Sequence, residues 1–401
     1  MALGEAPLQA SGAVRLPLVF KVEGSEYASA SDEASREQPV EVLARSLEGM
    51  QKEALVLGGG SAAWRMMSDE GPYLEGTDLA PFPLAFFAAG MQFSFLSRLA
   101  RLAGREGVLF RSARLAQDNF YSMEGSFLRG DARGGARAAE LALGLEADAA
   151  PAAIARLVEL AHRSHPAHAV MRDPLENTFA LDLNGRALPL EGLRPSPRRS
   201  STDPRRTLED LKPADSTEYL SAAIEKVAEA RVVHGVEGGA GTSLQPEQKR
   251  TLHIHGEARL LGALRMETTV QLFKPIGSTF RFLSDESPDS GGAGMAPPPL
   301  AYLCAGVAFC YLTQLGRYAH IARLPLDSYA VSQLTTFREG DSSPSSASPF
   351  DTQVFLDGEL TESEARDLAR TGERTCFLHA SMRGEFPSRL TAELNGSPLA
   401  F

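Results

Sequence analysis

The chain repeats itself. Residues 83–90 read PLAFFAAG and run on as MQFSFLSRL, while residues 299–306 read PLAYLCAG and run on as VAFCYLTQL. Ser94 and Cys310 hold the same place in the two copies, 216 positions apart. That offset is ungapped from Arg65/Arg281 through Ser68-Asp69-Glu70/Ser284-Asp285-Glu286 and Pro81/Pro297 to Arg101/Arg317. A second anchor, Leu183-Asn184-Gly185 against Leu394-Asn395-Gly396, lies at an offset of 211, so the second copy is five residues shorter between the anchors. At that offset His165 stands where the second copy has Cys376. A repeat this long restricts the fold to two like units. All three cysteines, Cys304, Cys310 and Cys376, fall in the second unit.

The chain has 401 residues, which suits two domains of roughly 150–200 residues. The expected boundaries are a cysteine-free unit over 1–190, a linker over 191–215 (EGLRPSPRRSSTDPRRTLEDLKPAD) and a cysteine-bearing unit over 216–401. The linker is rich in Pro, Ser and Arg without apolar periodicity, which predicts an exposed connection. Two further segments, Gly235–Gln248 and Glu339–Pro349, read as mobile loops without chemistry. Hydrophobic and charged contents of 43% and 23% are those of a folded soluble protein. A net charge of −11 argues against nonspecific binding to nucleic acid or to an anionic membrane. The start, MALGEAPLQASGAVRLPLVF, lacks a basic segment followed by an apolar one, and no run approaches the 18 or so apolar residues of a membrane span. The expected location is cytoplasmic. Three cysteines do not make a secreted disulfide framework; in a reducing compartment they are reactive or simply buried.

Both units show the same order of elements. Alternating strand-like segments come first: Val14–Val22 and Ala54–Met67, then Arg250–Leu260 and Glu267–Leu283. A helix starts near Pro83 or Pro299, where proline's missing N–H has no helical partner anyway. Leu96, Leu99, Leu102 and Ala103, like Leu312, Leu315 and Ala319, repeat at helical spacing and predict one buried face. Strands follow around Arg111–Phe120 and Asp327–Phe337, then helices over Ala152–Arg163 and Thr361–Thr371, then a closing strand ending in Leu-Asn-Gly. The predicted class is α+β, an antiparallel sheet packed on two helices, occurring twice.

Cys310, inside the first helix of its unit, and Cys376, near the end of the second, are the candidates for chemistry. A cysteine in an apolar helix is most often a small inert hydrophobe. A pair is different, because a sulfenic acid on one thiol can be captured by the other if the Cα atoms come within about 7 Å. Cys304 falls opposite Ala88 and reads as core. His379 could tune Cys376 or cap a helix. His162, His165 and His168 form an H-x-x-H-x-x-H run, but no Asp, Glu or Cys completes a zinc pattern, and neither a metal nor another cofactor is expected. Gly58-Gly59-Gly60 reads as a strand turn. Arg65 recurs as Arg281, for which a structural ion pair is at least as good a reading as catalysis.

The segment Cys304-Ala305-Gly306-Val307-Ala308-Phe309-Cys310-Tyr311-Leu312 resembles the first cysteine helix of the osmotically inducible protein C / organic hydroperoxide resistance family. Cys376, followed seven residues later by Arg383-Gly384, resembles that family's second motif. Copy one is similar but has Ser94 and His165-Pro166 at the cysteine positions. The resemblance implies two tandem domains of this fold packed as an intrachain pseudo-dimer, with a vestigial pocket at Ser94 and His165. It implies thiol peroxidase chemistry: Cys310 attacks an organic hydroperoxide or other small apolar molecule, Cys376 resolves, and a lipoyl protein or small thiol restores both. Arg281 and Arg383 are the candidates for the activating charge. The family's glutamate ten residues before the first cysteine is here Leu300, and Leu84 in copy one; Asp285 or Glu286 could take its place. Other chemistry on a small metabolite, or a scaffold with core cysteines, remain the alternatives.

Overall fold

The computed structural model describes residues 17–22, 37–60, 62–127, 129–198, 202–209, 211–214, 223–230, 248–341 and 343–401. The first half runs β1 (Val19–Lys21), β2 (Glu37–Ser46), β3 (Lys52–Gly58), β4 (Trp64–Ser68), α1 (Pro83–Arg105), β5 (Phe110–Gly125), β6 (Arg133–Ala136), β7 (Glu140–Ala147), α2 (Pro151–Ser164), α3 (Ala169–Arg172), β8 (Thr178–Leu183), β9 (Arg186–Leu188) and β10 (Arg194–Pro195). After α4 (Pro204–Glu209) the order recurs: β11 (Ile224–Ala228), β12 (Gln248–Gly262), β13 (Arg265–Lys274), β14 (Thr279–Asp285), α5 (Pro299–Ala322), β15 (Leu326–Arg338), β16 (Ser346–Ala347), β17 (Asp351–Gly358), α6 (Glu362–Thr375), α7 (Phe377–Met382), β18 (Arg389–Leu394) and β19 (Ser397–Pro398).

Neither sheet belongs to one copy. The first has the order β1-β4-β3-β2-β15-β17-β8-β10, and the second β11-β14-β13-β12-β5-β7-β18-β19. Each begins with four strands of one half, takes two central strands from the other, and closes with strands of the first. The expected all-antiparallel sheet is corrected here. β17 pairs parallel with β8, and β7 with β18, where each closing strand meets the other half, while its own hairpin partner, β9 or β19, pairs antiparallel.

The repeated Leu-Asn-Gly turn explains itself in this arrangement. Asn184 and Asn395 adopt left-handed backbone (φ 53 and φ 51), a conformation asparagine tolerates. Asn184 bonds the N–H and carbonyl of Gly358, each at 3.0 Å. Asn395 takes the N–H of Ala147 at 3.2 Å and donates to its carbonyl at 3.0 Å. Each asparagine thus clamps a strand end of the opposite half.

α1 and α5 cross between the sheets. Their repeated glycines mark the crossing: a Cβ on Gly90 would stand 2.5 Å from Leu303 N, and one on Gly306 would stand 2.7 Å from Phe87 N. The helices are therefore buried nearly all round rather than on the single expected face. Phe86, Phe87, Phe93 and Phe95 meet Tyr302, Phe309 and Tyr311 in one continuous core, each such ring contributing about 1.5–3 kcal/mol. α5 is long and apolar enough to cross a membrane, contrary to the sequence expectation, but it lies buried as the core helix.

Other differences are local. Ala54–Met67 is a hairpin, β3 and β4, broken at Gly58-Gly59-Gly60, where Gly58 and Gly59 have φ of +87 and +72. The described part of the 191–215 linker is pinned down, because its arginines find acids: Arg198 bonds Asp351, and Arg205 bonds Asp203 and Asp357. Glu339–Pro349 is likewise anchored, since Glu339 pairs with Arg98 and Arg101. Gly235–Gln248 lies outside the described residues up to 247, as does the start of Val14–Val22.

Candidate active site

Cys310 sits mid-way along α5. Cys376 is the residue between α6 and α7, where extended backbone (φ −68, ψ 123) breaks the helix. Its N–H still bonds Gly372 O at 3.0 Å and its carbonyl accepts from Ala380 N at 2.9 Å, so the break is rigid. The break turns its sulfur toward α5. The two sulfurs are 3.3 Å apart, with the Cys376 thiol donating to Cys310. Both are free thiols and both are buried. Burial, and then the adjoining Cys310, push the Cys376 thiol well up.

Only Cys310 of the pair faces open space. Beside it is an apolar cavity of about 20 Å³, room for about one water. Both halves line it. Leu252, Leu272, Thr313, Gln314 and Phe377 come from the second, and Glu70, Tyr73, Leu74, Phe82, Pro83 and Leu84 from the first. Glu70 Oε1 accepts from Thr313 Oγ1 at 2.9 Å, and Oε2 from Tyr73 OH at 2.9 Å. A carboxylate does therefore reach the thiol site, although Leu84 and Leu300 replace the expected glutamate. It is Glu70 and not Glu286, because the crossing of α1 over α5 places each half's pre-helix turn above the other half's helix. Glu286 makes the mirror contact, accepting from Ser97 Oγ of α1; burial pushes its carboxyl up. The rest of the repeated triplet is structural. Asp69 holds the N–H groups of Glu70 (2.7 Å), Thr77 (3.1 Å) and Leu79 (3.1 Å). Ser68 and Ser284 each donate to a proline carbonyl at 2.8 Å.

The two candidate arginines stand elsewhere. Arg281 on β14 pairs with Glu225 at 2.7 Å and Glu267 at 3.5 Å, as Arg65 pairs with Glu53 at 2.6 Å; both are sheet ion pairs. Arg383 bonds Glu373 Oε1 at 2.6 Å and the carbonyls of Glu373 (3.0 Å) and Arg374 (3.2 Å). It caps the end of α6 and so fixes the turn bearing Cys376. Lys52, on β3 of the first half, is a buried lysine that sequence reasoning missed. Burial pushes its ammonium down, opposed by Glu70, Asp69 and the Cys310 sulfur. No motif in Gln51-Lys52-Glu53 announces this.

His379 is fully buried between Phe179 (5.5 Å) and Tyr311 (5.3 Å), with no partner on either ring nitrogen. Burial and then Arg383 push it down to about 3, so it is neutral at physiological pH and tunes nothing by charge. Cys304 is buried in apolar surroundings that push its thiol up, the condition of an inert core cysteine.

The mirror position is closed. Ser94 Oγ lies 3.3 Å from His165 Nδ1, packed by Phe95 (5.4 Å) and His168 (5.3 Å). Ser345 Oγ donates to His165 O at 2.8 Å, so the segment after Glu339 seals the place. His162 and His168 spend their nitrogens on Ser388 and on a backbone carbonyl. Among the described residues no metal-binding group of His, Cys, Asp and Glu forms.

A family model described as OsmC-like protein matches residues 291–391, the span of α5, α6, α7 and both sulfurs. The chain carries an OsmC-like domain. No curated protein matches the chain. Among solved structures, an OsmC-like hydroperoxide resistance protein from Jannaschia sp. CCS1 is 20% identical, over 36% of this chain and 95% of that one, with a TM-score of 0.24. The OsmC-like domain's two sulfurs are its own, but the cavity beside them is half built by the preceding copy.

Proposed function

We propose that the chain reduces organic hydroperoxides through Cys310 and Cys376. The observation that carries this reading is the 3.3 Å separation of two free sulfurs beside an apolar cavity that Cys310, and not Cys376, helps to line. The Cys310 thiolate attacks the distal oxygen, the O–O bond breaks, and the alkoxide leaves as an alcohol once protonated. Cys310 is then a sulfenic acid. Cys376 attacks its sulfur, the S–S bond forms, and water departs. A dithiol, a lipoyl protein or a small thiol, returns both to the reduced state. Burial that keeps Cys376 protonated assigns it the second step. The cavity of about 20 Å³ is smaller than such a substrate, so entry requires its lining to move.

Reduced protein mixed with one equivalent of cumene hydroperoxide should lose two thiols and release one cumyl alcohol. Cys376→Ser should lose one thiol, and Cys310→Ser none. Consumption no faster than by free cysteine would remove the reading and leave the scaffold alternative.

A further inference from the structure

We propose that Gln314 positions the hydroperoxide, its side-chain Oε1 accepting the substrate's O–H and so aiming the distal oxygen at the Cys310 sulfur. This rests on the thiol chemistry proposed above.

The cavity beside Cys310 has few polar groups, and most of them satisfy one another. Thr313 Oγ1 donates to Glu70 Oε1, and Tyr73 OH donates to Glu70 Oε2, both at 2.9 Å. Gln314 stands apart from that chain. It follows Cys310 by four residues on α5, so the two side chains lie on the same helix face, and both line the cavity. Gln314 is 1% exposed, yet its Oε1 has no hydrogen-bond partner among the described residues. Leaving a buried acceptor unpaired is costly, and such a group in a native fold asks for a reason.

The repeat supplies the contrast. The counterpart of Gln314, 216 positions earlier, is Arg98. Arg98 is committed to the fold: Nε donates to Ser164 Oγ at 2.9 Å, and Nη1 and Nη2 donate to Glu339 Oε1 and Gly340 O at 2.5 Å. Where the helix carries Ser94 the place is wired into the protein. Where it carries Cys310 the place holds a neutral amide with an unused acceptor. A buried amide on such a helix need not be left so. Gln92 of α1 donates from Nε2 to Leu115 O at 3.1 Å and accepts at Oε1 from Thr268 Oγ1 at 2.7 Å.

An unused acceptor fits a ligand that brings a donor. A hydroperoxide, R–O–O–H, has one, and it sits on the distal oxygen, the atom that Cys310 attacks. The bond to Gln314 therefore fixes the reacting atom itself. In the balanced step the thiolate takes the distal oxygen with its hydrogen, the O–O bond breaks, and the proton lost by Cys310 ends on the alkoxide, which leaves as alcohol. The hydrogen held by Gln314 stays on the sulfenic acid. It departs in the water released when Cys376 closes the disulfide.

The test compares two reagents at one sulfur, in a Cys376→Ser background with the modified cysteine assigned by peptide mass. Cumene hydroperoxide carries the O–H donor; S-methyl methanethiosulfonate also modifies thiols and carries none, so its rate sets the scale for access. Gln314→Met keeps the length of the side chain and removes the acceptor. The ratio of the hydroperoxide rate to the thiosulfonate rate should fall about tenfold, the worth of one hydrogen bond. The thermal midpoint should hold or rise, because the amide oxygen bonds nothing in the fold; an amide with a structural role would lower it when removed. If circular dichroism shows Gln314→Met unfolded, Gln314→Leu is read in the same way. An unchanged ratio, or a lowered midpoint in both variants, overturns the inference and leaves the peroxidase reading standing. A protein with Gln314 intact that meets cumene hydroperoxide no faster than free cysteine removes the peroxidase reading, and the inference with it.

Discussion

Burial acts in opposite directions on the acids and bases at the thiol site and at its mirror position. It holds the thiols of Cys304 and Cys376 protonated, and it holds the histidines neutral: His162 near 4, His168 and His379 near 3. These folded values lie below the ordinary 6.5, so the histidines cost nothing above that pH. As pH falls from 6.5 toward 3, the unfolded chain takes up protons that the folded chain refuses. Stability should drop by about 1.4 kcal/mol per pH unit for each such group. Denaturant unfolding at pH 7, 6 and 5 should show this fall, and His379→Phe should lessen it by one group's share. An unchanged pH dependence in that variant would contradict the assignment. Cys310 and Cys376 were legible in the sequence because a repeat exposes any position where its copies differ in chemistry. Glu70 was not, because its place beside Cys310 depends on a helix more than 200 residues away in sequence.

At the scale of elements, the α1–α5 crossing decides which groups meet. Gly306→Ala sets a gain of about 1 kcal/mol in helix propensity against a Cβ placed 2.7 Å from Phe87 N and 3.0 Å from Pro83 O. Backbone cannot step aside as a flexible side chain can, so overpacking should win, with a net loss of about 1–3 kcal/mol. Thermal unfolding of the variant checks it; an unchanged or raised midpoint would mean the helices cross elsewhere. The proline-started helices and the strand alternation were readable because they are local patterns. β2, with Val40, Val42 and Ala44 facing inward, and β7 with its strict alternation carry the same signal and were overlooked. The bonds of Arg198 to Asp351 and of Arg205 to Asp357 were not readable, since both acids lie on β17 of the other half.

For the whole molecule, covalent linkage makes the pairing of copies intramolecular, and the strand exchange makes it obligatory. Deleting residues 1–190 removes β5 and β7 from the middle of the second sheet and Glu70, Tyr73 and Leu74 from the cavity beside Cys310. The remaining half should be insoluble or self-associated, and gel filtration of a folded monomer would contradict the exchange. The resemblance implied that the two copies pack as an intrachain pseudo-dimer, but the duplication alone says nothing of strand partners. It could not foretell that each sheet would be completed by the other half, because strand partners are set by tertiary pairing that leaves the alternation of each strand unchanged.

The most direct test of a composite thiol site is to expose the reduced full chain for under a second to one equivalent of cumene hydroperoxide, quench with an alkylating agent, and map the peptides. The account predicts a Cys310–Cys376 disulfide as the main product, with Cys304 alkylated only after unfolding. Free, alkylatable Cys310 and Cys376 after that exposure would contradict it.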